Sequence, residues 1–158
     1  WSWTLEKYLT WAEIDLDAYA HNIWELRRIT DPKARLMAVV KANGYGHGAL
    51  EVAGTALQNG ADWLGVARLH EAVELREAGL EAPILIFGYS PPDSVQFLIK
   101  YDLAQSVYTR RTAEAYSEQA ARAGKPIKVH IKVDSGMGRL GLLPDEVLPF
   151  LKEIPQSK

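Results

Sequence analysis

The chain has 158 residues, of which 47% are apolar and 24% are charged, so it can bury about 70% of its unfolded surface in one core. Its 18 basic and 20 acidic residues nearly cancel, which gives no electrostatic reason to expect a nucleic acid or an anionic membrane as partner. It has no cysteine, no apolar run near the roughly 18 residues of a membrane span and no signal-peptide core, so we expect a cytoplasmic protein without disulfides or thiolate chemistry.

The N-terminal part of the sequence predicts a tail, a strand and a helix. Residues 1–10 are rich in aromatic side chains and are predicted to form an N-terminal tail. Residues 11–16 alternate as a short strand does, and Asp17 is a suitable N-cap for the helix that follows. An Asp-Pro pair at residues 31–32 ends this helix. Its predicted apolar face consists of Ala20, Ile23 and Leu26.

The next feature is an apolar run that ends on a lysine. Residues 36–40 predict a buried strand with Lys41 at its carboxyl end, and three glycines in residues 44–48 permit a tight turn close to a ligand. Desolvation at such a position favours the neutral amine, which is a nucleophile toward aldehydes. The alternative from these residues alone is a lysine that reaches the surface beside an ordinary glycine turn.

Helices and strands alternate through the rest of the chain. Helices are predicted to end at residues 59–60 and at Gly79, to open at residues 91–93, and to run from about Thr112 to Gly124. Further strands are predicted at residues 63–67, 83–87, 106–108 and 127–133. Such alternation indicates βαβ units and a parallel sheet, either doubly wound or part of a (β/α) barrel.

The fifth strand favours the barrel. Apolar residues at 127, 129, 131 and 133 alternate with Lys128, His130, Lys132 and Asp134. A strand covered by helices on both faces would be apolar on both, whereas a barrel strand can carry polar groups inside, near its carboxyl end. Only five or six βα units are readable, too few to close a barrel of eight strands. We therefore expect an N-terminal part of a TIM-type barrel, either a fragment or one half of a two-chain barrel.

Three blocks of the sequence resemble the alanine racemases, which are fold-type III pyridoxal-phosphate enzymes. Residues 40–48 (VKANGYGHG) are similar to the cofactor attachment motif of that family. The resemblance continues in residues 11–17 together with Asn22, and in residues 132–141 (KVDSGMGRLG). The blocks lie in family order from about residue 11 to residue 146.

The resemblance implies roles for four residues. Lys41 would hold pyridoxal 5'-phosphate as a Schiff base, and Tyr45 would contact the cofactor phosphate. Arg139 would point at the cofactor's phenolic oxygen and bind the substrate carboxylate, which suits a guanidinium because it is always charged and can form two parallel hydrogen bonds. Lys132 would be carbamylated and would hold Arg139 in position. The resemblance implies no metal.

Other readings of nearby residues stay open at the level of sequence. Lys132 could instead pair with a carboxylate such as Asp134. His47 is predicted to fix the glycine loop by hydrogen bonding, and His130 to be a core histidine rather than a catalyst. Residues 136–141 also have the G-x-G-x-x-G spelling of a dinucleotide site, but a Leu-Pro pair interrupts the helix that should follow.

The resemblance implies an isomerase that interconverts L-alanine and D-alanine and supplies D-alanine for peptidoglycan. Lys41 would serve the D-enantiomer, and the opposite base would be a tyrosine from the C-terminal β domain of the partner subunit in a homodimer. Residues 11–158 would be a partial barrel domain, with that β domain absent and little activity alone. The alternatives are a non-catalytic pyridoxal-phosphate-binding barrel protein and a cofactor-free Schiff-base lyase.

Overall fold

A computed structural model describes residues 9–154 of the chain. Residues 1–8 of the predicted tail lie outside this range, and residues 9–10 are irregular and exposed. In chain order the elements are α1 (Leu16–Ile29), β1 (Met37–Val39), α2 (Lys41–Tyr45), α3 (Ala49–Gln58), β2 (Trp63–Val66), α4 (Leu69–Glu77), β3 (Ile84–Ile86), α5 (Val95–Lys100), β4 (Ala104–Val107), α6 (Arg110–Ala123), β5 (Lys128–Ile131) and α7 (Val147–Glu153). Short 3₁₀ helices at Pro92–Ser94 and Pro144–Glu146 precede α5 and α7.

The five strands of residues 9–154 form one parallel sheet in the order β1-β2-β3-β4-β5. Each strand pairs with the next one along the chain, as in the register Ala38 to Leu64 between β1 and β2 and Leu64 to Ile84 between β2 and β3. A doubly wound sheet would reverse its strand order at a switch point, and this sheet does not. The fold is therefore that of a (β/α) barrel, as predicted.

The sheet is strongly curved. The rings of Trp63 on β2 and His130 on β5 lie edge to face, with centroids 5.5 Å apart, although β3 and β4 separate the two strands. In a flat sheet β2 and β5 would be about 14 Å apart, because neighbouring strands are about 4.8 Å apart. The contact identifies the concave face, which is the interior of the barrel.

The hydrophobic core lies between the convex face of the sheet and the helices that cover it. Branched aliphatic side chains of the strands are fully buried against small and aliphatic side chains of the helices, each contributing about 1.5–3 kcal/mol. The strand members of this core include Leu64, Val66, Ile84, Ile86 and Val107, and the helix members include Val52, Ala53, Leu75, Leu98 and Tyr116. This packing fixes the strand ends that carry the candidate site.

Two sequence predictions at the N-terminus are wrong. Residues 11–15 form no strand, because no described strand lies beside them to complete a ladder. Helix α1 begins at Leu16 and is capped by Asp15, not Asp17: the Asp15 side chain accepts a hydrogen bond from the Ala18 N–H at 2.9 Å. Asp17 instead lies in the first turn, where its negative charge interacts favourably with the helix dipole and stabilises the helix.

The fifth strand is shorter than predicted. Strand β5 covers Lys128–Ile131, and Val133 forms only an isolated bridge with Leu142. At the amino end of β5 the Lys128 Nζ forms an ion pair with the Asp102 Oδ2 at 2.7 Å. Lys132, in contrast, follows the carboxyl end of this strand. Helices α2 and α7 were not predicted; the other predicted helices and strands are confirmed within a few residues.

Within residues 9–154, no helix is both long and apolar enough to cross a membrane. In the same range no group of three or more His, Asp or Glu side chains is arranged to bind a metal ion.

Candidate active site

The turn after β1 has an unusual backbone. Residues Ala42, Asn43, Gly44 and Tyr45 all have positive φ, between 52° and 60°, so α2 is a left-handed helical turn that begins directly after Lys41. Left-handed conformation costs roughly 1–2 kcal/mol for each residue other than glycine. Such strain persists only where the surroundings determine the backbone, and it is concentrated at functional sites.

Packing and hydrogen bonds hold this turn against α3. Gly44 is buried, and a Cβ there would lie 2.7 Å from the Cγ2 of Val52, so the close approach requires glycine. The Gly44 N–H donates to the Val40 carbonyl at 2.9 Å, and the Asn43 Oδ1 accepts from the Ala49 N–H at 2.8 Å. The glycine-rich stretch thus positions a specific turn beside Lys41.

A cleft of about 560 Å³ opens at the carboxyl ends of the strands. It is lined by residues that follow β1, β2, β3 and β5, namely Lys41, Ala67, Arg68, Phe87, Gly88, Tyr89, Lys132, Arg139 and Leu140. In barrel enzymes this edge of the sheet is where active sites are built. Within residues 9–154, four cationic side chains and no carboxylate line the cleft, so it is suited to an anionic ligand.

The cleft brings together three of the four predicted site residues, Lys41, Lys132 and Arg139. The fourth, Tyr45, is beside it: the Lys41 Nζ lies 5.6 Å from the centroid of the Tyr45 ring. Tyr45 is 60% exposed and Lys41 is half-buried, so both side chains are accessible from the cleft mouth.

Lys132 does not pair with Asp134. Its Nζ donates to the Phe87 carbonyl at 3.4 Å and lies 6.0 Å from the Phe87 ring centroid, and it forms no ion pair in the described part of the chain. The Asp134 Oδ1 instead accepts from the N–H groups of Gly136 and Gly138 at 2.9 and 3.0 Å, which lowers the pKa of that carboxyl. The salt-bridge alternative for Lys132 is therefore wrong.

Arg139 is mounted on a closed loop. The Leu142 N–H donates to the Lys132 carbonyl at 2.9 Å, and the Asp134 N–H donates to the Leu142 carbonyl at 2.8 Å, which joins the two ends of residues 135–141. No helix begins in this loop, which agrees with the interruption expected from the Leu-Pro pair and excludes a dinucleotide-binding motif at residues 136–141.

The two candidate histidines have structural contacts only. The His47 N–H donates to the Gly44 carbonyl at 3.1 Å, and among residues 9–154 its ring forms no hydrogen bond, so the predicted role of that ring is not observed. His130 packs on Trp63 but is exposed, so the prediction of a core histidine is wrong, and it does not line the cleft.

Several residues of the site escaped the sequence analysis. Arg68 and Phe87 line the cleft, and Gln105, fully buried on β4, donates to the Gly88 carbonyl at 2.6 Å and fixes the cleft wall. Phe87 ends a predicted strand, so its place at the carboxyl edge of the sheet could have been used to find it. Arg68 belongs to no sequence motif that we recognised.

Residues 14–158 match the family model described as alanine racemase, N-terminal domain. The chain belongs to this family. The curated alanine racemase of Methanococcus maripaludis is 52% identical over 136 residues, which are 86% of this chain and 36% of that protein. The chain thus spans about a third of the length of this relative.

Solved racemase structures share the fold. The crystal structure of alanine racemase from E. faecalis matches with a TM-score of 0.83 and 43% identity, over 88% of this chain and 38% of that one. A histidine racemase from Leuconostoc mesenteroides subsp. sake matches with a TM-score of 0.81 and 32% identity, over 87% of this chain and 37% of that one. The alanine racemase N-terminal fold therefore occurs in racemases named for different amino acids.

Proposed function

We propose that the chain is part of a pyridoxal-phosphate-dependent alanine racemase in which Lys41 carries the cofactor. The observation that supports this most directly is the shared cleft of Lys41, Lys132 and Arg139 at the carboxyl ends of the barrel strands. The cleft combines an amine for covalent attachment with cations for a phosphate and a carboxylate, and the family membership of the chain supports the same function.

The cleft fits the cofactor in size and in chemistry. Its volume of about 560 Å³ falls within the range of about 300–1,000 Å³ that is typical of small-molecule sites. Phe87 and Tyr89 supply aromatic walls for a planar ring, and the surrounding cations favour an anionic ligand. Tyr45 can donate its hydroxyl hydrogen to the phosphate, and Arg139 can bind the phenolic oxygen.

When bound, pyridoxal phosphate withdraws electrons from the substrate α-carbon and so makes its proton removable. Lys41 Nζ then accepts or donates the proton on one face, the one that serves the D-enantiomer. Arg139 holds the substrate carboxylate and so orients the α-carbon toward Lys41. Removal of the proton from the other face needs a second base, which we assign to a tyrosine of the partner subunit.

Carbamylation of Lys132 would resolve the charge problem in the cleft. The Lys132 ammonium would first lose one proton, and the neutral Nζ would then add to carbon dioxide and release a second proton, so that a cation becomes an anion. That anion could accept hydrogen bonds from the Arg139 guanidinium and hold it in place. No carboxylate among the described residues lines the cleft, which supports this proposal, because Lys132 and Arg139 would otherwise repel each other.

We propose that the complete enzyme is a cytoplasmic homodimer that supplies D-alanine for peptidoglycan. Residues 11–158 would form the first part of its barrel, and residues 1–10 a tail. The five-stranded sheet supports this division, because β1 and β5 are open edges and closure requires strands from outside the described residues.

Reduction with borohydride tests the assignment of Lys41. Purified protein incubated with pyridoxal phosphate is reduced and digested, and the phosphopyridoxyl group is mapped by mass spectrometry. We expect it on Lys41, and we expect Lys41→Ala to lose both the label and the visible absorption band. Lys33→Ala, on the surface between α1 and β1, is the control. A label on Lys132 would overturn the assignment, and a colourless wild type would favour a cofactor-free lyase.

A second candidate is a racemase for another amino acid, which the match to a histidine racemase supports. Both candidates use the same cofactor and the same Lys41. Competition between L-alanine, L-serine and L-histidine in one racemisation assay distinguishes them, because the preferred substrate has the highest kcat/KM.

A further inference from the structure

Glu71 is a charged residue whose hydrogen bonds the proposed reaction does not explain. It lies in the first turn of α4, and its carboxylate connects the ends of two strands. The Oε2 accepts from the N–H groups of Ala67 and Arg68 at 2.7 and 2.9 Å, which caps α4. The Oε1 accepts from the N–H of Ala42 at 2.6 Å, which belongs to the left-handed turn after Lys41.

The bond to Ala42 continues the connection between β1 and β2 beyond the sheet. The last backbone bond of that ladder runs from the Val40 N–H to the Gly65 carbonyl at 2.9 Å. After it the two strands diverge, and within residues 9–154 the N–H of Ala42 has no backbone acceptor. One carboxylate therefore supplies the acceptors that the ladder no longer provides.

The position of this bond matters because Ala42 directly follows Lys41. Ala42, Asn43 and Tyr45 all have the left-handed conformation that L-residues rarely adopt. A charge-assisted hydrogen bond at the first of them stabilises the turn where its strain begins. The same carboxylate holds Ala67 and Arg68, which follow the neighbouring strand β2 and line the same cleft as Lys41.

We infer that Glu71 is a positioning residue for Lys41. It acts through the Ala42 backbone to hold the turn that sets the Lys41 side chain and Tyr45 at the cleft mouth. Through its hydrogen bonds to Ala67 and Arg68 it also fixes the position of the cleft wall after β2 relative to Lys41. This inference rests on the proposed role of Lys41 in cofactor attachment, but the hydrogen bond itself can be tested without the cofactor.

The geometry requires a carboxylate of this length. Both oxygens of Glu71 accept bonds from N–H donors, so a side-chain amide in its place would direct an NH₂ group at a donor on one side. Aspartate is one methylene shorter and cannot reach Ala42 while it caps α4. Glu71→Gln therefore removes the function with little change in volume.

Amide hydrogen exchange of the cofactor-free protein is the first test. We expect exchange at Ala42 to be at least tenfold faster in Glu71→Gln than in wild type, because its acceptor is lost. Glu74→Gln is the matched control, because Glu74 is exposed on the next turn of the same helix and does not line the cleft. Unchanged exchange at Ala42 in Glu71→Gln would overturn the inference.

Cofactor labelling is the second test. In Glu71→Gln the rate of borohydride-fixed labelling of Lys41 should fall about tenfold, and the pH dependence of the visible absorption should shift, while Glu74→Gln behaves as wild type. Equal labelling of both variants would contradict the inference. If wild type itself does not label Lys41, the proposed function fails instead, and the exchange test still decides the role of Glu71.

A rescue variant separates positioning from general loss of structure. Glycine adopts positive φ without strain, so Ala42→Gly in the Glu71→Gln background should restore at least half of the lost labelling rate. Should Glu71→Gln fail to fold, Glu71→Asp, which retains the charge and the cap of α4, takes its place in both tests. Failure of Ala42→Gly to restore labelling in a folded variant would overturn the inference.

Discussion

The edge-to-face contact between Trp63 and His130 joins β2 to β5 across the interior of the barrel. The residues are 67 positions apart along the chain and lie on strands that do not pair. Their contact therefore reports the curvature of the sheet and not local structure. That curvature directs the carboxyl ends of β1, β3 and β5 toward one cleft, where Lys41, Phe87 and Lys132 meet.

We predict that this ring pair contributes to stability. In a double-mutant cycle with Trp63→Leu and His130→Ala, the coupling free energy should be about 0.5–1.5 kcal/mol, measured by urea unfolding. The His21 and Trp24 pair on the surface of α1, with ring centroids 6.3 Å apart, is the control and should give a smaller coupling. A zero coupling for the first pair would mean that the rings do not hold the sheet curved.

Gly44 should tolerate no side chain. Gly44→Ala should lower the free energy of unfolding by about 2–4 kcal/mol, because it combines left-handed strain with a clash against Val52. Gly54→Ala is the control, since it lies inside α3 with open space around it, and should stabilise by about 0.5–1 kcal/mol. Denaturant unfolding measures both changes, and equal effects would contradict the packing described for the turn.

Stability in acid should depend on Asp134. Its pKa in the folded protein lies below the ordinary 3.8, because the N–H groups of Gly136 and Gly138 bond the charged form. A lowered pKa adds stability that is present above pH 3.8 and is lost as the pH falls through the folded-state pKa. Asp134→Ala should therefore be less stable than wild type at pH 7, and the difference should shrink below pH 3.8.

Stability in base should depend on Tyr116. Burial raises the pKa of its hydroxyl from 10.0 to about 12, and the hydroxyl donates to the Ser90 carbonyl at 2.5 Å. The unfolded chain loses this proton first, so the contribution of Tyr116 is complete below pH 10 and is lost as the pH rises through 12. Unfolding free energies from pH 9 to pH 12 should fall more steeply for wild type than for Tyr116→Phe. Parallel curves would contradict this.

The site residues that could be predicted from the sequence are those that directly follow a recognisable strand. Lys41 ends an apolar run, Lys132 follows another, and parallel strands bring their carboxyl ends to one edge, so the cleft was foreseeable. The bond from Glu71 to Ala42 was not, because it joins positions 29 apart through a turn whose left-handed backbone no residue pattern specified. The alternation of apolar and polar residues at positions 11–16 led to a wrong strand prediction, because such a pattern does not show whether a partner strand is present.

Arg139 should act as a bidentate anchor in the complete enzyme. Arg139→Lys should raise the KM for L-alanine about 10- to 100-fold, because an ammonium cannot reproduce two parallel hydrogen bonds to a carboxylate. Arg122→Lys, on the exposed part of α6, should leave KM unchanged. A change in kcat without a change in KM would instead place Arg139 on the cofactor alone.

The last prediction concerns the charge on Lys132. If Lys132 is carbamylated, protein equilibrated with ¹³C-bicarbonate should show a carbamate carbon signal by NMR that Lys132→Ala lacks and Lys128→Ala retains. Lys128 is a suitable control because it lies on β5, the strand that leads to Lys132, but pairs with Asp102. In the complete enzyme Lys132→Ala should lose activity, and acetate or chloride should partly restore it by replacing the missing anion beside Arg139. If the ¹³C signal is absent and no anion restores activity, Lys132 acts as a cation in the cleft, and the position of Arg139 must be explained by its loop alone.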